Sequence, residues 1–264
     1  MRYYDTENRR LVYIEQRATP EFWDRQWEDE KLKKSILAGI KERFVFPTTK
    51  HYLKLGAKIL EGGCGKGHFV YSLYARGYDA YGVDFAEKTV KRVNTLIPEL
   101  KIRLGDVRQL EFPDATFHGY WSLGVIEHFP EGYDPIAKEM LRVLKPGGYL
   151  FLTFPYMSPL RRLKTYFGAY PLFDKNHFDQ EHFYQFALNA PDVIKKFKSL
   201  GFSLVKKKPY DGFKGFKDES GFLKPLFQAL YDNKSFLGRA STYALALLLA
   251  PVTGHVMLLI LKKK

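Results

Sequence analysis

Between residues 57 and 155 the chain alternates short apolar runs with amphipathic stretches, a rhythm that few folds tolerate. Lys58-Ile59-Leu60-Glu61-Gly62 reads as a strand ending in glycines, 69–75 as a helix stopped by Gly77, and 80–84 as a second strand. A helix over 87–96 closes at Pro98, and strands follow at 101–104 and 117–123. A helix at 134–144 and the turn Lys145-Pro146-Gly147-Gly148 then lead into a fifth strand at 149–154. A helix between two strands brings the chain back in the same direction, so the strands run parallel and helices cover both faces. In such sheets ligands bind beyond the carboxyl ends of the strands, where the strand order reverses. The residues following each strand are therefore where chemistry is expected.

The first of those strand ends is Ile59-Leu60-Glu61-Gly62-Gly63-Cys64-Gly65-Lys66-Gly67-His68. Glycines at 63, 65 and 67 allow a sharp turn and bring bare backbone up to a ligand. A dinucleotide fingerprint, G-x-G-x-x-G, fails here because its third glycine, counted from Gly63 and Gly65, is His68. A phosphate loop of the Walker type fails because no Gly-Lys-Ser/Thr follows. An acid followed by G-x-G-x-G, here Glu61, Gly63, Gly65 and Gly67, resembles the first motif of class I S-adenosylmethionine-dependent methyltransferases. Later segments extend the resemblance over about Ile59 to Pro155, in the family's order. Asp84 ends the second strand, and Gly105-Asp106-Val107 follows the third. Trp121-Ser122-Leu123-Gly124-Val125-Ile126-Glu127-His128 is similar to the fourth-strand motif of the small-molecule, type 11-like members. Leu141-Arg142-Val143-Leu144-Lys145-Pro146-Gly147-Gly148 is similar to their helix-to-strand turn.

The resemblance implies an α/β fold: a doubly wound, mostly parallel seven-stranded sheet with helices on both faces and the last strand antiparallel. Residues 202–207 would be the sixth strand and 256–262 the seventh. It also implies S-adenosylmethionine as cofactor, held by Glu61, Gly62, Gly63, Cys64, Gly65, Gly67, Asp84, Phe85, Asp106, Val107, Leu123 and Gly124. That cofactor is cationic at its sulfonium and amine and carries no phosphate. A carboxylate at Glu61 then suits the ammonium, directly or through water. Asp84 is placed to accept the ribose hydroxyls, Phe85 to cover the adenine, and Asp106 to take the adenine amino group.

Around this core of 56–155 the chain reads as three further parts of one domain. Residues 1–55 are expected to form an N-terminal helical cap, with Thr19-Pro20-Glu21-Phe22-Trp23 as a capped helix start. Residues 156–190, rich in aromatic, His and basic side chains, read as a lid inserted after the fifth strand, and 191–264 complete the sheet. Trp23, Trp27, Tyr156, His177, His182 and Tyr184 are the candidate acceptor or lid residues; their rings suit a flat or apolar acceptor, and core packing uses aromatic rings equally well.

Methyl transfer from a sulfonium is an in-line displacement, so the protein has mainly to align and, where needed, deprotonate the nucleophile. His128, just past the fourth strand, is the candidate base, since an imidazole exchanges protons near neutrality. No metal is expected: His177, Asp179, Glu181 and His182 match no standard ligand spacing.

With 45% hydrophobic and 27% charged residues, disordered and collagen-like classes are excluded. The single cysteine, Cys64, allows no intrachain disulfide, and residues 1–20 lack the apolar stretch of a secretory signal; both fit a cytoplasmic protein. The formal charge of +13 is concentrated late, with 18 Lys and Arg against 8 Asp and Glu in 156–264. Such asymmetry suits an acidic partner, whether nucleic acid or a membrane surface, or simply a solvated face. Residues 240–261 carry no formal charge and are long enough to span a bilayer, but Pro251, Thr253, Gly254 and His255 interrupt them. The expected structure is a helix over 237–250, a turn and the closing strand, with peripheral membrane contact through 222–250 as the companion reading. The expected activity is methyl transfer to a small-molecule, glycan or lipid-linked acceptor. RNA methylation is the alternative that the basic C-terminal part carries, although no RNA-binding module is recognisable. A non-catalytic, cofactor-binding subunit is the second alternative.

Overall fold

Two strands, β1 (Arg2–Asp5) and β2 (Arg10–Ile14), open the chain in the computed structural model, where a helical cap is expected. The structure describes residues 1–264 apart from 29, 177, 179 and 234, and not the side chains of 222, 236, 237 and 239. The hairpin closes through Asp5, whose carboxylate accepts from the Asn8 backbone and side chain and from Arg10 Nε. β2 pairs antiparallel with β8 (Phe183–Ala187), completing a three-stranded sheet. Leu11 and Val12 are fully buried there. Arg-Leu-Val-Tyr-Ile is rich in β-branched and aromatic residues; one pairing partner is the adjacent β1, and the other lies about 170 residues away, out of reach of a local reading. The expected helices begin later, with α1 (Pro20–Gln26), α2 (Leu32–Leu37) and α3 (Val45–Tyr52).

The central sheet has seven strands. β3 (Lys58–Gly62), β4 (Asp79–Asp84), β5 (Lys101–Leu104), β6 (Phe117–Leu123) and β7 (Leu144–Pro155) are parallel. β10 (Val256–Lys263) runs antiparallel to both β7 and β9 (Phe202–Tyr210), giving the order β5-β4-β3-β6-β7-β10-β9. β3 lies between β4 and β6, so the order reverses at its carboxyl end and opens a crevice there.

Period-two alternation divides the sheet's side chains between two cores. Ile59, Trp121, Phe151 and Leu258 face the side covered by α2, α4 (His68–Tyr74) and α5 (Glu87–Leu96). Leu60, Tyr120, Leu152 and Leu259 face α6 (Asp134–Val143) and α8 (Ala190–Ser199). Both cores are needed, because a parallel sheet leaves no face to water.

The segment after β7 is more regular than an irregular lid. It forms α7 (Pro159–Tyr166), capped by the Ser158 side chain, and then β8. Beyond β9 come α9 (Gly212–Glu219), α10 (Lys224–Asp232) and α11 (Phe236–Thr253). α11 runs three residues past the expected end and takes Pro251 into its last turn. Among the described residues no helix is long and apolar enough to cross a membrane. Glu219 ties these parts together: its carboxylate accepts from Arg161 Nε at 3.0 Å, Arg2 Nη1 at 2.5 Å, Lys164 Nζ at 2.9 Å and Tyr170 Oη at 2.5 Å. Arg161 and Glu219 are both buried, so each charge depends on the other; stranding one costs about 3–5 kcal/mol.

Candidate active site

The glycine segment turns as its composition requires. Gly63, Gly65 and Gly67 have φ of +75°, +48° and +70°, and Gly67 is the N-cap of α4. An L side chain is strained at such angles. Gly63 N–H and Cys64 N–H donate to the Val83 carbonyl at 2.8 and 3.1 Å, which fastens the loop to the end of β4. Asp84 continues the fastening: Oδ2 accepts from Gly65 N–H at 2.7 Å and Oδ1 from Ala86 N–H at 2.9 Å. Burial raises the Asp84 pKa, and these backbone donors oppose the shift.

A helix from the N-terminal part covers the loop. Thr19 caps α1 through the Phe22 N–H. Asp24, on α1, in turn caps α5, accepting from Thr89 N–H and Thr89 Oγ1 at 2.8 Å each and from Lys88 N–H at 3.3 Å. Docked in this way, α1 stacks Trp23 on Trp27 with ring centroids 5.6 Å apart, and Trp23 meets the His128 ring edge-on at 5.2 Å. A Cβ added at Gly65 would fall 2.9 Å from the Trp27 ring, so the bare loop lets the indole approach.

These elements enclose a cavity of about 190 Å³. Of the residues expected to hold the cofactor, Gly63, Asp84, Phe85, Asp106, Val107, Leu123 and Gly124 border it, together with Trp23, Trp27 and His128. Glu61, Gly62, Cys64, Gly65 and Gly67 do not. Glu61 is buried and its Oε2 has no hydrogen-bond partner among the described residues; burial and the nearby Asp84 push its pKa well up. Asp106 turns to Arg108, which reaches both its oxygens at 2.6–3.1 Å, so the adenine contact expected of it would have to share that carboxylate.

The expected acceptor residues divide. Tyr184 touches both Phe22 and His128. Tyr156 corrects the expectation, being buried in the core at the end of β7 and bridged to Leu188. His182 lies in a separate depression beside Tyr3, Ile14 and Phe178. His177 and Asp179 lie outside the described residues. Sequence reasoning missed Asp24, Ala18, Arg108 and Phe129; the last three line the cavity. The Asp three residues before the last aromatic of an expected helix was the one available signal, but the helix it caps lies more than 60 residues on.

His128 and Glu127 sit together on a short 3₁₀ turn after β6. His128 Nδ1 is 2.8 Å from the Tyr184 carbonyl oxygen. A carbonyl only accepts, so Nδ1 carries the proton and Nε2 keeps its lone pair. Burial lowers the His128 pKa to about 4, leaving the ring neutral near neutral pH. Glu127 is buried behind Gly124, with Oε1 3.3 Å from where a Cβ on that glycine would sit. Its Oε2 has no partner among the described residues, and burial pushes its pKa up to about 8. Among the described residues no group of His, Cys, Asp and Glu could hold a metal ion.

The cavity suits an adenosyl sulfonium. Phe85, Val107, Leu123 and Phe129 offer apolar walls for a ring, Asp84 and Asp106 offer acceptors, and Arg108 is already paired with Asp106 and Glu131. Glu61 lies buried under the loop with one oxygen that has no partner among the described residues, and a nearby cation would favour its charged form over the neutral one that burial favours.

Comparison with known proteins agrees. Residues 60–152 match the family described as methyltransferase domain, type 11. Over 99 residues, 36% of this chain and 31% of the relative, it is 36% identical to a 2-methyl-6-phytyl-1,4-hydroquinone methyltransferase of Synechocystis. Over 107 residues it is 31% identical to the 27-O-demethylrifamycin SV methyltransferase of Amycolatopsis mediterranei, covering 38% of this chain and 39% of that one. The matches thus span well under half of either relative. An S-adenosylmethionine-dependent methyltransferase structure from Mesorhizobium loti superposes with a TM-score of 0.56 at 16% identity, over 85% of this chain and 100% of that one. The fold is that of class I, Rossmann-like methyltransferases. More particularly, residues 60–152 match a type 11 methyltransferase domain, whose cofactor is S-adenosylmethionine.

Proposed function

We propose that the protein methylates a small, largely apolar acceptor bearing a hydroxyl or amine, either free or carried on a lipid. The observation that carries this reading is the aromatic wall of Trp23, Trp27 and His128 lining the cavity, with Tyr184 against His128. When bound, S-adenosylmethionine supplies a methyl group already activated for in-line displacement. The chain's own residues do the rest. Asp84 holds the glycine loop by its backbone donors and keeps lone pairs for ligand hydroxyls. Trp23 and Trp27 exclude water from the reacting centre. His128, held neutral and oriented by the Tyr184 carbonyl, takes the acceptor's proton at Nε2 as the methyl group bonds to its oxygen or nitrogen.

The test is release of S-adenosylhomocysteine on incubation with labelled cofactor and a panel of alkylated hydroquinones, phenols, lipid-linked sugars and bulk RNA. The hydroquinone relative puts that class first on the panel. Turnover on a small acceptor supports the proposal; turnover on RNA alone transfers it to the nucleic-acid reading. Saturable cofactor binding with no turnover on any acceptor favours a non-catalytic subunit.

A further inference from the structure

α11 turns several large apolar residues to solvent. Its inner face is made of small groups: Gly238, Ala250 and Thr253 are buried. α9 meets that face through glycines, where a Cβ on Gly212 would fall 2.2 Å from Ala250 N and one on Gly215 1.7 Å from Thr253 O. Backbone packs on backbone, and folding makes no use of the outer stripe. That stripe carries Tyr243, Leu247, Leu248 and Val252, which are 67%, 51%, 76% and 53% exposed. Tyr243 and Leu247, and Leu248 and Val252, are each four residues apart, so they form two adjacent rows that together cover about half of the helix circumference. α7, packed beside α11, adds Tyr166 and Phe167 at 83% and 74% exposed. Single exposed apolar residues are ordinary, but a contiguous group marks an interaction surface.

We propose that this face docks the protein on the surface of an anionic lipid bilayer. Charge selects the occupant. The exposed stretch Lys206-Lys207-Lys208 lies on edge strand β9, against which α11 packs, and Lys224 opens α10. Neither α7 nor α11 contains an acidic residue. An exposed apolar helix face, on a helix that packs on lysine-bearing β9 and on α7 with its exposed Tyr166, fits the headgroup boundary of a membrane with negative lipids. α11 cannot span that membrane, so it would lie along the surface. The docking face and the cofactor cavity use different residues, so each can fail without the other.

The test is co-sedimentation of the whole protein with phosphatidylcholine vesicles, with and without phosphatidylserine, at low and high salt. Saturable binding to the serine-containing vesicles, weakened by salt, is expected. The double variant Leu247→Asp, Leu248→Asp should bind about tenfold or more weakly. Separately, Lys206→Glu with Lys207→Glu and Lys208→Glu should lose a comparable factor through charge alone. Cofactor binding by calorimetry should be unchanged in both, which shows that the fold is intact. Absence of binding to either vesicle, or binding indifferent to both sets of substitutions, overturns the proposal. So does concentration-dependent dimerisation that Leu247→Asp, Leu248→Asp abolishes, since the face would then join two copies of the chain. Failure of the wild type to bind cofactor would count against the methyl-transfer reading and leave the docking face standing.

Discussion

His128 Nδ1 and the Tyr184 carbonyl oxygen, 2.8 Å apart, join the end of the fourth parallel strand to the N-terminal-side sheet through one hydrogen bond. The bond sets the tautomer that leaves Nε2 as a proton acceptor. His128→Asn keeps a side-chain donor but removes the base, and turnover should fall about 10²–10⁴-fold. Cofactor affinity by calorimetry should change little. Equal losses in turnover and affinity would make His128 a binding residue instead.

Asp84 has a double duty that sequence alone does not show, since it anchors Gly65 and Ala86 as well as facing the cavity. Asp84→Ala should weaken cofactor binding by roughly 1–3 kcal/mol and also lower the melting temperature, because buried backbone donors lose their acceptor. An unchanged cofactor dissociation constant would remove Asp84 from the site.

Asp24 holds α1 on the amino end of α5. Asp24→Ala should cost about 0.5–2 kcal/mol, the usual loss for a capping acceptor. It should also loosen Trp23 and Trp27, raising hydrogen exchange over 20–26 and weakening cofactor binding. Exchange equal to that of the wild type would show that α1 is held by the aromatic contacts alone.

The pH dependence of stability has two opposed arms. Burial lowers the pKa of His68 and His128 to about 4 and that of His255 to about 2. The unfolded chain therefore takes up more protons than the folded one below about pH 6.5, and stability should fall as pH drops from there towards 4. Glu127 has the opposite sign: with its pKa raised to about 8, the folded state holds a proton that the unfolded chain releases near 4.5. Stability from this group is full below about pH 4.5 and is lost as pH rises from there to about 8. Glu61 and Asp84, whose pKa values burial also raises, share this sign, so Glu127→Gln should make that alkaline arm shallower and leave the acid arm in place, as read by denaturant midpoints across pH. An alkaline arm of unchanged slope would place the titration elsewhere.

The central strands were legible because each is apolar over a short, bounded run. The strand bounds Lys58–Gly62 and Phe117–Leu123 and the helix Glu87–Leu96 coincide with the structure, and the closing strand at 256 was visible as an uninterrupted apolar run. Local patterns misled where the partner was remote. Arg10–Ile14 is a strand held on one side by its neighbour Arg2–Asp5 and on the other by the remote β8. Tyr156, in an aromatic stretch that looked like lid, was taken into the core because β7 runs on past Phe154.

By itself, then, the sequence determined the parallel sheet, its glycine turn and the class of ligand it suits, since periodicity and glycine placement are local properties of the chain. Only the tertiary structure decided which of those residues border the cavity, that Asp106 is shared with Arg108, that Asp24 pins the tryptophans over the loop, and that Leu247 and Leu248 face outward. Each of these depends on a neighbour distant in the chain, and no local propensity encodes which surface a helix will bury.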